Sequence, residues 1–232
     1  MGTQSTKELG SRPVGEVVAE DYRRGGVFKR FGIDFCCGGG RSVADACARK
    51  GVELEELAQA LESSDRKGGE SALPDPRGWA PAFLADYIEN VHHTYCRENL
   101  PVLQAFTQKV ARVHGLENPE VVEVDQKVQE LAREMEAHMK SEEDVVFPAI
   151  RDGEATPEAF AQMEEEHDVA GGIMAEIRGL TGGFTPPQGA CATWRASYAK
   201  LEEFEGDLHR HVHLENNVLF PKARAAQAGG SA

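Results

Sequence analysis

The sequence predicts an all-α protein, with a small N-terminal helical module followed by an up-down four-helix bundle. Three observations lead there. Apolar residues recur at helical spacing in both parts of the chain, strand patterns are nearly absent, and four long amphipathic stretches follow residue 78. The breaks between those stretches are short and carry Gly, Pro, Asn or Asp.

The N-terminal module is expected over residues 1–62. Its first helix starts near Val14, where Val14, Val17 and Val18 stand at helical spacing. A second covers about 42–49 and a third about 54–61, the last marked by Leu54, Leu57 and Leu61. A module of about 60 residues buries too little apolar surface to be very stable by itself. Residues 63–78 (SSDRKGGESALPDPRG) are polar and rich in Ser, Gly and Pro, and read as a linker. The bundle then occupies 79–222. Its first helix runs from about 81 to 113, opening on Pro81 and kinking at Pro101. The second covers about 119–146, the third 157–180 and the fourth 193–219, with residues 223–232 as a flexible tail. Long helices with short connections favour a bundle whose core can house a metal.

Composition narrows the function. A formal charge of −14 argues against nucleic acid, whose phosphates attract basic surfaces, and gives no support to an anionic membrane. No apolar run approaches the roughly 20 residues of a membrane helix, and the first residues lack the apolar core of a signal peptide. The five cysteines, an odd number, do not form the pattern of an extracellular disulfide framework, so a reducing cytoplasm is expected.

One chemical phrase is written twice. His138-Met-Lys-Ser-Glu142 precedes Phe147-Pro148, and His211-Val-His-Leu-Glu215 precedes Phe220-Pro221; both read H-x-x-x-E-x-x-x-x-F-P. Positions i and i+4 share a helix face, so each copy points an imidazole and a carboxylate the same way. The Phe-Pro suits a helix terminus, because proline disfavours helix in the residue before it. His93 and His167 stand upstream of the two copies at matching distances. Four imidazoles and two carboxylates without thiolate suit iron, manganese or zinc, and six side chains exceed the usual four ligands of one zinc. Two metals sharing carboxylates account for the number, with Glu142 and Glu215 as bridges and the histidines divided two to each.

A rival reading uses Glu89-x-x-His92 and Glu164-x-x-His167, which match the E-x-x-H phrase of ferritin-like bundles. It leaves His138 and His211 without a role. Between His92 and His93 the residues do not decide: helical phase against Leu84, Val91 and Phe106 favours His92, and the repeat spacing favours His93. His209 and His213 are expected on the exposed side of their helix, and His114 at a helix C-terminus, where the macrodipole favours it. Glu134, Glu166 and Asp168 are either partners that orient the imidazoles or ordinary surface acids.

Cys36 and Cys37 stand together before three glycines and Arg41. A helix N-terminus and Arg41 would lower a thiol pKa, and a vicinal pair seldom forms an unstrained disulfide. Redox exchange or soft-metal binding is the functional reading of the pair.

The segment F-G-I-D-F-C-C-G-G-G with the following R-S-V-A-D-A-C resembles the short N-terminal domain of the iron–sulfur cluster repair proteins, a bacterial di-iron group. V-H-H-T-Y-C-R-E-N-L-P, H-M-K-S-E-E-D-V-V-F-P, E-E-E-H-D and H-V-H-L-E-N-N-V-L-F-P resemble that family's hemerythrin-like domain. The resemblance spans about residues 14–221. It implies two non-haem irons, oxo- and carboxylate-bridged, held by His93, His138, His167 and His211 with Glu142 and Glu215. It thereby selects His93 over His92. It further implies that Cys36 and Cys37 are the thiols used with the centre, and that the partners are iron–sulfur proteins with clusters damaged by nitric oxide or oxidative stress. Iron donation is the expected mode of repair. Binding of nitric oxide at the centre, or its reduction to nitrous oxide, is the alternative, and whether the chain is an enzyme stays open.

Overall fold

The computed structural model describes residues 3–67 and 75–229. Among them the only bridge of strand type is an isolated one between Pro13 and Ser42. Contacts divide the chain into two units, Met1–Leu84 with Val212–Ala232, and Ala85–His211.

In the first unit α1 (Thr3–Ser11), α2 (Val14–Glu20), α3 (Arg23–Arg30), α4 (Val43–Lys50) and α5 (Leu54–Lys67) follow one another closely. The apolar spacing does the expected work: Val14, Val17 and Val18 of α2 and Leu57 and Leu61 of α5 are buried. Helix α4 is capped at both ends, since Ser42 Oγ accepts the Asp45 N–H and Gly51 closes the helix in the left-handed region. Helices α1 and α3 were not foreseen. Gly25 and Gly26 lower the propensity of α3, which is held instead by buried Val27 and Phe28. Helix α5 runs on to Lys67, so the first part of the expected linker is helical. Residues 68–74 of that linker lie outside the described residues, and Pro76–Gly78 forms a 3₁₀ turn.

The bundle has four helical rods. The first consists of α6 (Pro81–Tyr87), a π-turn (Ile88–His93) and α7 (Thr94–His114). The second consists of α8 (Glu120–Ser141), a π-turn (Glu142–Val146) and α9 (Phe147–Asp152), closed by left-handed Gly153. The third is α10 (Pro157–Leu180), begun by a Thr156 cap. The fourth is α11 (Ala192–Leu214), continued by a π-turn (Glu215–Leu219) and α12 (Phe220–Gly229). The boundary between the two units falls inside this last rod, between His211 and Val212. The tail expected from residue 223 is therefore helical through Gly229, and residues 230–232 lie outside the described residues.

Within Ala85–His211 the rods are locked by side chains. Thr107 donates to Asp125 and Gln104 to Gln129 between α7 and α8. Arg178 of α10 forms a bidentate pair with buried Glu205 of α11. Helix α7 passes through Pro101 without interruption; the first rod leaves α geometry at Ile88–His93 instead.

Candidate metal centre

The departures from α geometry fall on the chemical motifs. One π-turn ends on His93, one begins on Glu142 and one begins on Glu215. A π-turn holds more residues than an α-turn, so it rotates the following side chains about the helix axis. That rotation defeats a phase counted from Leu84 and brings His93 rather than His92 to the carboxylate face. It also corrects the expected helix ends at Phe-Pro. The wide turn already breaks the regular hydrogen-bond ladder, so Pro148 enters the first turn of α9 with no further N–H to lose. Phe147, fully buried, lies stacked on the His93 ring, 5.5 Å between centroids.

Two triads result. Donor atoms of His93, Glu142 and His211 lie within 4.8 Å of one another, and so do those of His138, Glu142 and His167. Glu142 belongs to both. Its Oε2 lies 3.2 Å from His93 Nε2 and 3.3 Å from His138 Nε2, and its side chain is fully buried. His138 Nε2 and His167 Nε2 are 3.0 Å apart. The far ring nitrogens are tied to acids: His93 Nδ1 to Glu143 at 2.7 Å and His138 Nδ1 to Glu166 at 2.9 Å. A carboxylate accepts only, so each Nδ1 carries a proton, and Nε2, the atom facing Glu142, is the nitrogen left to take a metal. Converging lone pairs around a buried carboxylate fit a cation, and the oxygen–nitrogen donor set fits iron. Glu215, also fully buried, follows His211 by one turn on the same rod and belongs to the first unit.

The comparisons with known proteins agree in extent. The model of the hemerythrin HHE cation binding domain matches residues 84–223, and that of a domain of unknown function, DUF542, matches residues 10–65. A protein named Iron-sulfur cluster repair protein YtfE from Citrobacter koseri is 36% identical over 226 residues, covering 93% of this chain and 98% of the relative. One of the same name from Pectobacterium atrosepticum is 38% identical over 224 residues, covering 90% and 95%. This chain belongs to the iron–sulfur cluster repair protein family.

The acids behind the imidazoles in this family member were only partly foreseen. Glu166 is held below the usual carboxylate range, first by the hydrogen bond to His138. Glu143 was missed, although it adjoins Glu142. Burial alone would raise its pKa, and Arg97 and His93 outweigh burial to lower it. Glu134 and Asp168 are exposed; Glu134 lines a surface hollow with Ala137, Ser141, Gln162 and Glu166 that opens onto His138. The E-x-x-H scheme has no geometric support, since Glu89 pairs with Arg151 and neither Glu164 nor His92 enters a triad. His213, expected to be exposed, is buried in the first unit, 5.8 Å from the rings of both Tyr22 and Phe35.

The cysteine pair of the family's N-terminal domain sits in a tight turn of the first unit. Asp34 Oδ1 accepts from the Cys36 and Cys37 N–H groups and from the Cys36 thiol at 3.1 Å, and Oδ2 accepts from the Gly38 N–H. Asn217 Nδ2 donates to the carbonyls of Phe35 and Cys36. A Cβ on Gly39 would come within 2.2 Å of Asn217 Oδ1, which is why the turn needs glycine there. The expected low thiol pKa is corrected: Cys37, then burial and Asp34, push Cys36 well above the usual thiol range. Helix α4 begins only at Val43, and Ser42 is its cap, so the helix does not reach the thiol. Asp34, Cys36 and Cys37 nonetheless bring three donor atoms within 4.8 Å of one another.

Proposed function

We propose that this chain is a di-iron protein that restores iron–sulfur clusters damaged by nitric oxide or oxidative stress, by donating iron. The observation that carries it is the pair of imidazole triads sharing Glu142, each with one ring tethered to an acid. In this reading His93 and His211 hold one iron, His138 and His167 the other, and Glu142 and Glu215 bridge them. Nitrogen and carboxylate donors hold ferrous iron less tightly than thiolates hold a cluster, so transfer toward a cysteine-lined apo-cluster runs downhill. Cys36 and Cys37 are the thiols through which iron passes. The relatives' printed names support repair as the role. The partners are then iron–sulfur proteins, and the site of action is the cytoplasm; no helix of the described residues is long and apolar enough to cross a membrane.

The test is transfer of iron from anaerobically loaded protein to an apo-cluster enzyme whose activity reports reassembly. Wild type is expected to restore activity, His138→Ala to bind fewer irons and lose restoration, and Cys36→Ser/Cys37→Ser to keep its iron but restore slowly. Full restoration by the double serine variant removes the thiols from the mechanism. A second reading rests on the small number of protein donors in each triad, which leaves room for a small molecule such as nitric oxide. Sustained nitrous oxide production by the reduced protein favours that reading; its absence favours donation.

A further inference from the structure

His92 is the histidine that neither triad absorbs. It is 2% exposed, and its Nδ1 lies 3.0 and 3.1 Å from the two carboxylate oxygens of Asp207. That contact repeats what Glu143 does for His93 and Glu166 does for His138. Among the described residues three buried imidazoles thus have an acid on Nδ1, and two of them stand in the triads. An ionised carboxylate accepts only, so Nδ1 of His92 is the nitrogen that donates, and Nε2 is the one left for another partner. Nε2 is buried and has no hydrogen-bond partner among the described residues. The ring is stacked on His211, 10° from parallel with centroids 5.6 Å apart, and Tyr87 packs at its edge.

A buried, unpartnered nitrogen carries a cost that phenylalanine at the same place would avoid. An imidazole oriented by a carboxylate, with its other nitrogen left open, is the usual form of a metal-binding histidine. Asp207 is partly exposed, so the pair reaches from beside His211 to solvent. We propose that His92, oriented by Asp207, is an auxiliary iron ligand on the His93–His211 side of the centre, engaged as that iron enters or leaves. With iron bound there, His92 would offer Nε2 as an additional nitrogen donor on the His211 side. The step is one of ligation alone: no electron is transferred, and the Nδ1 proton stays on its bond to Asp207. This inference rests on the iron-donation reading and adds a route for one of the two ions.

The experiment uses full-length protein loaded anaerobically with ferrous iron. Iron content and the Mössbauer spectrum are recorded first, and release to a coloured ferrous chelator is then followed in time. Two variants are compared with wild type: His92→Phe, which keeps an aromatic ring against His211, and Asp207→Asn, which keeps the shape of the acid. Both are expected to hold as much iron as wild type with an unchanged spectrum. His92→Phe should slow release of one of the two ions by about tenfold, the scale on which supporting groups act at metal sites, and Asp207→Asn should slow the same phase by less. Unchanged release phases in loaded His92→Phe overturn the proposal and leave iron donation standing. If His92→Phe does not fold, an unchanged release course in Asp207→Asn overturns it equally. Wild type that takes up no iron would instead overturn the di-iron reading itself.

Discussion

The cysteine turn and the metal triads both place acids against potential ligands, and they use them in opposite ways. At the turn, Asp34 faces the thiol directly, accepts its proton in a hydrogen bond and contributes to holding Cys36 protonated. In the triads, Glu143 and Glu166 stand behind the imidazoles, accept a hydrogen bond from Nδ1–H and leave Nε2 toward Glu142. An acid in front of a donor atom masks it; an acid behind one exposes it. The Cys36 thiol is thus held in its protonated form, whereas the triad imidazoles turn Nε2 toward Glu142.

Removing the shared acid should break the contrast most severely. Glu142→Gln is expected to cut iron content from the proposed two ions per chain to one or none, because both triads lose their shared anionic carboxylate. Metal analysis after anaerobic loading reads this directly. Removing an acid from behind an imidazole should act on one ion only. Glu166→Ala is expected to weaken one of two iron affinities by roughly 10- to 100-fold while the His93 side is spared. Chelator competition should then show two well-separated steps, and equal weakening of both would deny the division into triads.

At the turn the sign reverses. Asp34→Asn removes the negative charge beside the Cys36 thiol, so alkylation of Cys36 at mildly alkaline pH should speed up several-fold, as thiolate becomes easier to form. The same change leaves the Gly38 N–H without its carboxylate acceptor, at about 1 kcal/mol of stability. A slower alkylation would show that Asp34 does not mask the thiol.

The smallest effect belongs to an acid that serves packing alone. Glu20 is held below its ordinary pKa of 4.5, first by the hydrogen bond to Arg12, against burial, with Arg24 adding to it. A depressed carboxylate contributes stability above its unfolded pKa and loses it as pH falls through the folded value. The contribution is therefore complete above about pH 4.5 and disappears below it. The pairs are partly exposed, so Glu20→Gln should cost at most about 1 kcal/mol at pH 7 and flatten the acid limb of urea unfolding. An unchanged acid limb would leave Glu20 without a role in the pH dependence.

Much of the fold was legible because helical spacing is a local property. Val14, Val17, Val18, Leu57 and Leu61 announce buried faces, and the bounds of the third rod, 157–180, follow from Pro157 at its start and the Gly- and Pro-rich break after residue 180. The i,i+4 placement of His138 with Glu142 also survives translation into structure, because the α-helix up to Ser141 keeps its period. Helix ends were less legible: Lys67 and Gly229 lie beyond the positions that composition indicated, since polar residues do not end a helix unless something breaks its hydrogen bonds.

The sequence by itself determined the helical class, the doubled His/Glu phrase and the neighbouring cysteines, all of which depend on residue type and short spacing. The family resemblance selected His93 over His92, and the structure supplied the reason: the π-turn at Ile88–His93 changes the helical phase and leaves no mark in residue type. Tertiary structure decided which acids stand behind the imidazoles, since Glu166 reaches His138 across 28 residues and Asp207 reaches His92 across 115. Partners so distant in the chain meet only when the rods pack, and no local pattern records the angle at which they do so.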